Sequence, residues 1–459
     1  MRLPQLWHKH ERKHMNAPSA PISHRSITDY VDIGETIYAL AKRIFPICRS
    51  ITGNGVRETI DVLRDYIDVE IHEVPTGTQV FDWTIPKEWN ITRAYLKDPH
   101  GRTIIDFSNS SLHVMSYSRK VHSVMPLREL KAHIYTLPEQ PDLIPYKTAY
   151  YIDEWGLCMA HRQFLELEDG DYEVVVDAEK SDGHLSYGEY FHPGSNGKEM
   201  LFSAHICHPS LANDNCSGIA LLTCLARALN ARQTRYGYRF LFAPGTIGSL
   251  SWLSRNEDRL DVIKHGLVVS CVGDGGGPNY KRSRRGNAII DRVVACVRCS
   301  EDQPATMHEF SPYGYDERQF CSPGFNLPVG LLQRSAFGTF PEYHTSADNL
   351  SFIRPEHLAS SFNMVMDIID AIEGNWIPLN LSPKGEPQLG RRGLFSALGG
   401  HKSNSARTMA YLWVLNLADG DHSLLDIAER SKMPFSDIAA AAERLREAGL
   451  LSNLGFSET

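Results

Sequence analysis

The sequence predicts an α/β protein: a mixed, mostly parallel sheet flanked by helices, with a small inserted β-domain and a C-terminal winged-helix domain. Three observations carry that reading. Between Glu199 and Cys271 apolar strand-like runs alternate with amphipathic helical ones, and such alternation favours parallel strands joined through helices. From Thr78 to Pro138 the chain becomes aromatic, rich in β-formers and punctuated by turns such as D-P-H-G, as expected of a β module set into a larger domain. From Thr408 onward three short helical patterns precede a final G-L-L, the sequence shape of a winged helix.

Along the chain, residues 1–29 open with M-R-L-P-Q-L-W-H-K-H-E-R-K-H. This stretch is basic and His-rich with no apolar run behind it, so a solvated tail is expected and not a signal peptide. Apolar residues then recur with helical spacing at Ile33, Ile37, Leu40, Ala41 and Ile44 until Pro46 ends the pattern. A second helix is expected over Val56–Tyr66. The turn between them, R-S-I-T-G-N-G-V-R from Arg49 to Arg57, offers Arg49 as a candidate for holding a substrate carboxylate. Residues 30–77 and 139–377 are assigned to the main domain and 78–138 to the insert, where Trp83 and Trp89 are read as core before pocket lining. Tyr172–Ala178 and Glu199–His205 are expected as strands of the main domain. Helix Gly218–Ala231, strand Tyr238–Ala243, a helix from Ile247 and strand Leu267–Cys271 follow, and Pro355–Ile372 completes the domain as a long helix. Residues 378–405, rich in Pro, Gly and Ser, are expected to be a linker. Residues 406–459 form the winged helix, with helices over Thr408–Leu417, Ser423–Ser431 and Phe435–Ala448.

Composition narrows the function classes. A chain of 459 residues, 42% hydrophobic and 22% charged, has material for two or three domains and at least one large core. Its net charge of -8 gives no electrostatic reason to expect nucleic acid or an anionic membrane as a partner, and no run approaches the roughly 18 apolar residues of a membrane span. Nine scattered cysteines make no disulfide framework and point to a reducing, cytoplasmic setting. The C-V-R-C pair, Cys296 and Cys299, has no second pair and is expected to be packing. From Arg407 onward five basic residues (Arg407, Arg430, Lys432, Arg444, Arg446) face eight acidic ones (Asp419, Asp421, Asp426, Glu429, Asp437, Glu443, Glu447, Glu458). A DNA reader needs cations for phosphates, so the winged helix is expected to serve packing or homo-oligomerisation.

Chemistry concentrates in L-F-S-A-H-I-C-H-P-S-L-A-N-D-N-C-S-G, Leu201 to Gly218. A strand delivers His205, a turn-rich loop adds Asp214, and imidazole with carboxylate suits a divalent metal. Asp274, in G-D-G-G-G, and His344, in P-E-Y-H-T-S-A-D-N, are further candidate ligands, with Asp348 available to orient His344 from behind. His208 is a possible additional ligand, or an acid, or structural beside Pro209.

The ordered set His205, Asp214, Asp274, His344 resembles the zinc-dependent aminopeptidase superfamily. More narrowly, five stretches resemble a bacterial aminopeptidase-like branch with an inserted β-domain and often a C-terminal winged helix. They are S-I-T-G-N-G-V-R, V-F-D-W-T-I-P-K-E-W-N-I, A-H-I-C-H-P-S-L-A-N-D-N-C-S-G, Y-D-E-R-Q-F-C-S-P-G-F-N-L-P-V and E-Y-H-T-S-A-D-N. The resemblance implies a zinc exopeptidase-like fold and one or two zinc ions. One ion falls to His205, Asp214 and Asp274; a second falls to Asp214 as bridge and His344. It also implies a paired Glu-Glu as base and ligand. The matching stretch F-A-P-G-T-I-G-S-L has Gly245 there, and no carboxylate lies between Tyr236 and Asn256. Glu317 and Glu342 are therefore the candidate catalytic carboxylates, since amide hydrolysis needs a proton acceptor. Arg284 and Arg285, in K-R-S-R-R, and Tyr343 join Arg49 as candidate substrate contacts. The expected activity is hydrolysis of an amide in a small peptide or amino-acid conjugate; the alternative is a catalytically degenerate binding protein acting through assembly.

Overall fold

In the computed structural model, which describes residues 28–297, 305–394 and 402–457, the central strands lie where apolar runs are longest. Strand Glu199–His205 is buried at every position, as is Gly237–Ala243 beside it. They pair in parallel, Glu199–His205 also pairs in parallel with Ile263–Val269, and that strand does so with Val329–Gln333. Antiparallel pairings flank this centre, through His184–His192 and Glu70–Pro75 on one side and Asn279–Lys281 on the other, where Thr306–His308 is outermost and pairs in parallel with Asn279–Lys281. The eight-stranded sheet is mixed with a parallel centre, as the sequence predicts.

Side chains alternate between the two faces, and both faces are covered, so the strands read as continuous apolar runs. Phe202, Phe240, Phe242 and Val269 face helices Thr28–Ile44, Gly218–Leu229 and Pro355–Gly374. Leu201, Leu241, Val268 and Leu331 face the β insert and helix Ile247–Arg255. No helix among the described residues is long and apolar enough to cross a membrane.

The insert differs from expectation at its far end. Its four-stranded antiparallel sheet orders Thr103–Asp106, Glu88–Lys97, Asp171–Ser181 and Val121–Pro126. Tyr172–Ala178 thus belongs to this sheet and not to the main one, so the β module runs past residue 138. Val174 and Val176 are buried against Ala94, Leu96 and Val121, and an apolar run looks the same whichever sheet it joins. Trp89 is core, its indole N–H donating to the Ser118 carbonyl at 2.9 Å. Trp83 is 39% exposed and meets Tyr151 edge-on.

The C-terminal helices Lys402–Leu417, Leu424–Ser431 and Phe435–Glu447 close on Ile427, Ile438, Ala442 and Leu445. The expected linker begins as a strand: Trp376–Asn380 pairs antiparallel with Leu451–Phe456, stitching the end of the chain to the main domain. Arg292 adds a charged clamp, reaching Asp426 at 2.6 Å and Glu429 at 2.7 Å. The His-rich residues 1–14 and Cys299 lie outside the described residues. Cys296 ends helix Ile289–Cys296, half-buried.

Candidate metal centre

His205 is placed by the last residue of a fully buried strand, and the loop after it is fixed residue by residue. Asn213 accepts the Gly273 N–H on its side-chain oxygen at 2.9 Å and donates its side-chain N–H to Asp274 Oδ2 at 2.8 Å. Asn215 donates to the Val269 carbonyl at 3.1 Å and accepts from the Gly218 N–H at 3.1 Å. Ser217 donates to the Asn213 carbonyl and accepts from Val272 N–H. A Cβ at Gly218 would lie 2.5 Å from the Val269 carbonyl, so only glycine fits. These contacts turn Asp214, wholly buried, toward three imidazoles.

The convergence is close. Asp214 Oδ1 lies 2.8 Å from His205 Nε2, and Oδ2 lies 3.2 Å from His208 Nδ1 and 3.0 Å from His344 Nε2. Donor atoms of His205, His208 and Asp214 all fall within 4.8 Å of one another. Ligand atoms around tetrahedral zinc stand about 3.3 Å apart when bonds are about 2.0 Å, so the residues fit an ion with small adjustments. The charges fit as well. Burial pushes His205 down to about 4, keeping it neutral. Burial opposes the charge on Asp214, yet the imidazoles of His208 and His205 more than offset it and hold the carboxyl well below its usual range. Burial lowers His208, and the Asp214 charge outweighs that and leaves it raised. The group can hold a metal, and its nitrogen-rich donor set suits a transition ion more than magnesium or calcium.

Tyrosines enclose the group. Tyr146 meets His208 and His344 edge-on, each at 5.1 Å. Tyr343 stacks on His344 at 3.9 Å. The stretch carrying Tyr146 is sewn to the His344 loop by Tyr146 N–H to the His344 carbonyl at 2.8 Å and Ser346 N–H to the Ile144 carbonyl at 2.9 Å. His344 is the solvent-facing member, its side chain 33% exposed.

Several expectations need correction. Asp274 is buried beside the loop but apart from the group. Its Oδ1 accepts from Ser335 Oγ at 2.6 Å and Gly276 N–H at 2.7 Å, and its Oδ2 accepts from Asn213, so it ties the glycine turn down. Asp348 does not orient His344; its two oxygens accept the N–H groups of Asn213 and Asp214 at 2.6 and 3.0 Å. Glu317 is buried in an ion pair with Lys281 at 2.5 Å and accepts the Tyr315 N–H. Glu342 is half-buried on the His344 loop, and its carboxylate takes no hydrogen bond among the described residues. Arg49 is buried, donating to the Ile44 carbonyl and to Cys216 Sγ at 3.1 Å, because the Gly-rich turn folds inward. Arg284 and Arg285 are exposed and hold the turn at Asn326.

Sequence reasoning missed Tyr315 and Asp316. A Cβ at Gly245 would lie 1.9 Å from the Tyr315 hydroxyl, which fills the volume of the missing acid. That hydroxyl stands 3.2 Å from Cys207 Sγ and 3.4 Å from His208 Nε2. Asp316 accepts the Thr246 N–H at 2.7 Å and leaves Oδ2 buried without a partner. The only available signal was the aromatic-acid pair inside Y-D-E-R-Q. Burial raises the Asp316 carboxyl to about 7, against 3.8 unfolded. The folded state therefore keeps a proton that the unfolded chain loses, and that stabilisation, full below about pH 4, fades as pH rises through 7. Asp316→Asn removes the slope. Urea melts at pH 5 and pH 8 should show the variant gaining on the wild type by roughly 2–3 kcal/mol between them; parallel shifts would contradict it.

Comparisons with known proteins agree with this architecture. A family model described as a domain of unknown function, DUF4910, matches residues 38–375, and a winged helix-turn-helix model matches 376–453. A provisionally named polysaccharide biosynthesis protein with aminopeptidase-like domain from Clostridium acetobutylicum is 52% identical over 420 residues, covering 92% of this chain and 96% of its own. The crystal structure of a provisionally assigned peptidase from the same organism is 50% identical with a TM-score of 0.88, covering 93% of this chain and 98% of that one. The zinc aminopeptidase BSAP of Bacillus subtilis shares the fold at 14% identity and TM-score 0.53, over 74% of this chain and 94% of its own. The chain belongs to the DUF4910 family, in its aminopeptidase-like branch with a C-terminal winged helix.

Proposed function

We propose that the protein is a zinc-dependent hydrolase that cleaves an amide in a peptide or amino-acid conjugate. The observation that carries this reading is the convergence of His205, His208 and His344 on one buried carboxylate at the strand ends of an aminopeptidase-like sheet. When bound, a divalent ion supplies Lewis-acid polarisation of a carbonyl and acidification of water. Tyr146 and Tyr343 wall the group and leave His344 as the side facing solvent. Glu342, two residues before His344, is the carboxylate we take as proton acceptor, since Glu317 is paired with Lys281. The name of the Clostridium relative joins an aminopeptidase-like domain to polysaccharide biosynthesis, which supports a conjugate in preference to a free peptide.

A second reading, a binding protein without turnover, draws support from Gly245 and Tyr315, which remove the acid expected there. Zinc-loaded protein incubated with a library of aminoacyl and N-acyl amino-sugar amides separates the two. Release of free amine that stops with chelator and falls at least about 100-fold in Glu342→Gln is the expected result. Binding of amides without release would leave the second reading in possession.

A further inference from the structure

We propose that Phe81, Trp83 and Tyr151 form a subsite for a pyranose ring, so that the conjugate whose amide lies at the metal group carries a sugar. The link to turnover rests on the amide-conjugate reading above; the binding itself does not.

The three rings are exposed together. Phe81 is 42%, Trp83 39% and Tyr151 52% open to solvent. A single exposed apolar side chain needs no explanation, but a group of them marks a surface that meets a partner. Trp83 lies edge-on to Tyr151 with centroids 5.5 Å apart, and Phe81 lies 5.6 Å from Phe325 of the main domain.

The backbone is bent to present them. Val80 and Trp83 pair across a two-residue loop whose first residue, Phe81, has φ +52°. Two-residue hairpins ordinarily place glycine, asparagine or aspartate at such a position. Tyr151 has φ +66°, and for a bulky side chain this region is strained. Both bends are held in place. Gln79 Nε2 donates to the Phe81 carbonyl at 2.7 Å, and its Oε1 accepts from Thr84 Oγ1 at 3.1 Å. Lys180 Nζ donates to the Ile152 carbonyl at 3.5 Å and pairs with Asp153 at 3.5 Å. Strain kept at two exposed aromatic residues, where glycine would bend more easily, points to use of the rings.

The cluster is continuous with the metal group. Tyr150, next to Tyr151, shares a 2.9 Å hydrogen bond between its hydroxyl and that of Tyr146, the ring that meets His208 and His344. Its surroundings select the occupant. Open rings do not enclose an acyl chain as a pocket would. Exposed carboxylates stand beside them, Asp82 in the hairpin loop and Asp153 and Glu154 after Tyr151, which opposes an anionic membrane and a dry protein interface. A pyranose satisfies both features: its C–H face lies against the negative face of an aromatic ring, and its hydroxyls donate to carboxylates.

Saturation-transfer NMR on the full-length protein, with the methyl pyranosides of glucose, galactose, mannose and N-acetylglucosamine and with octanoyl amide, tests the subsite. At least one pyranoside should bind through aromatic protons of the protein. Its affinity should fall about tenfold in Trp83→Ala and in Tyr151→Ala and be largely kept in Trp83→Phe, with circular dichroism and thermal melts showing each variant folded. Binding of no pyranoside, tighter binding of octanoyl amide than of any pyranoside, or unchanged affinity in both alanine variants would overturn the subsite. In the zinc-loaded protein, the kcat/KM preference for amino-sugar amides over matched alkyl amides should fall about tenfold in Trp83→Ala. Amine release with that preference unchanged would overturn the sugar assignment and leave the hydrolase reading standing. Ring-dependent pyranoside binding with no amine released from any amide would do the reverse.

Discussion

Asp348→Ala is expected to destabilise the protein by roughly 3–5 kcal/mol and to strip it of metal. Asp348 is fully buried, and its two carboxylate oxygens each accept one backbone N–H, from Asn213 and Asp214. Its own carbonyl accepts the Ala212 N–H at 3.0 Å. An alanine leaves two amides buried without acceptors, and each buried group left unsatisfied costs about 1–3 kcal/mol. Water has no ready access, because residues 212 to 217 are buried throughout. The loop that aims Asp214 would then relax, and the three imidazoles would lose their common partner. Asp348→Asn retains one acceptor and should fall between. Urea denaturation with metal analysis checks both effects; a cost under about 1 kcal/mol with metal retained would show that Asp348 is not what holds the loop.

Much of this fold was legible in the sequence because periodicity reports burial and punctuation reports ends. The alternation after Glu199 gave parallel strands, and His205 at the end of an apolar run gave a rim position. Partners were the illegible part. Asp274 looked unengaged in its glycine turn, but Ser335, 61 residues away, occupies it. Glu317 looked like a base, and Lys281 takes its charge. Arg49 sat in a turn that reads as exposed, yet that turn packs inward against Cys216. Tyr315 could not be found by spacing at all, because its role depends on a void at Gly245 from another element. The acidic surplus of the winged helix was visible as an argument about DNA. Its structural use, two carboxylates clamping Arg292, was not.

The second large effect lies inside the sheet. Arg239→Ala is expected to cost about 3–5 kcal/mol, the range for removing one partner of a buried ion pair. Arg239, only 5% exposed at its side chain, is gripped on both sides by neighbouring strands: Glu199 accepts its Nε at 2.6 Å and its Nη2 at 2.9 Å, and Glu189 accepts its Nη1. Phe191 lies under the guanidinium at 4.5 Å, adding a cation–π contact. Truncation would leave two carboxylates that are 15% and 11% exposed without their buried cation: Glu189 would keep only the neutral Trp252 indole N–H, and Arg259, 3.5 Å from Glu199 and exposed, is a poor substitute. Arg239→Lys cannot reproduce the bidentate fork and should recover only part of the loss. The companion change Arg239→Met with Glu189→Gln and Glu199→Gln removes the charges together and should regain most of it, since uncompensated charge and not the ion pair's net worth sets the cost. Chemical denaturation of the three proteins decides it. If the triple variant is no more stable than Arg239→Ala, the loss comes from packing, and the electrostatic account of this sheet is wrong.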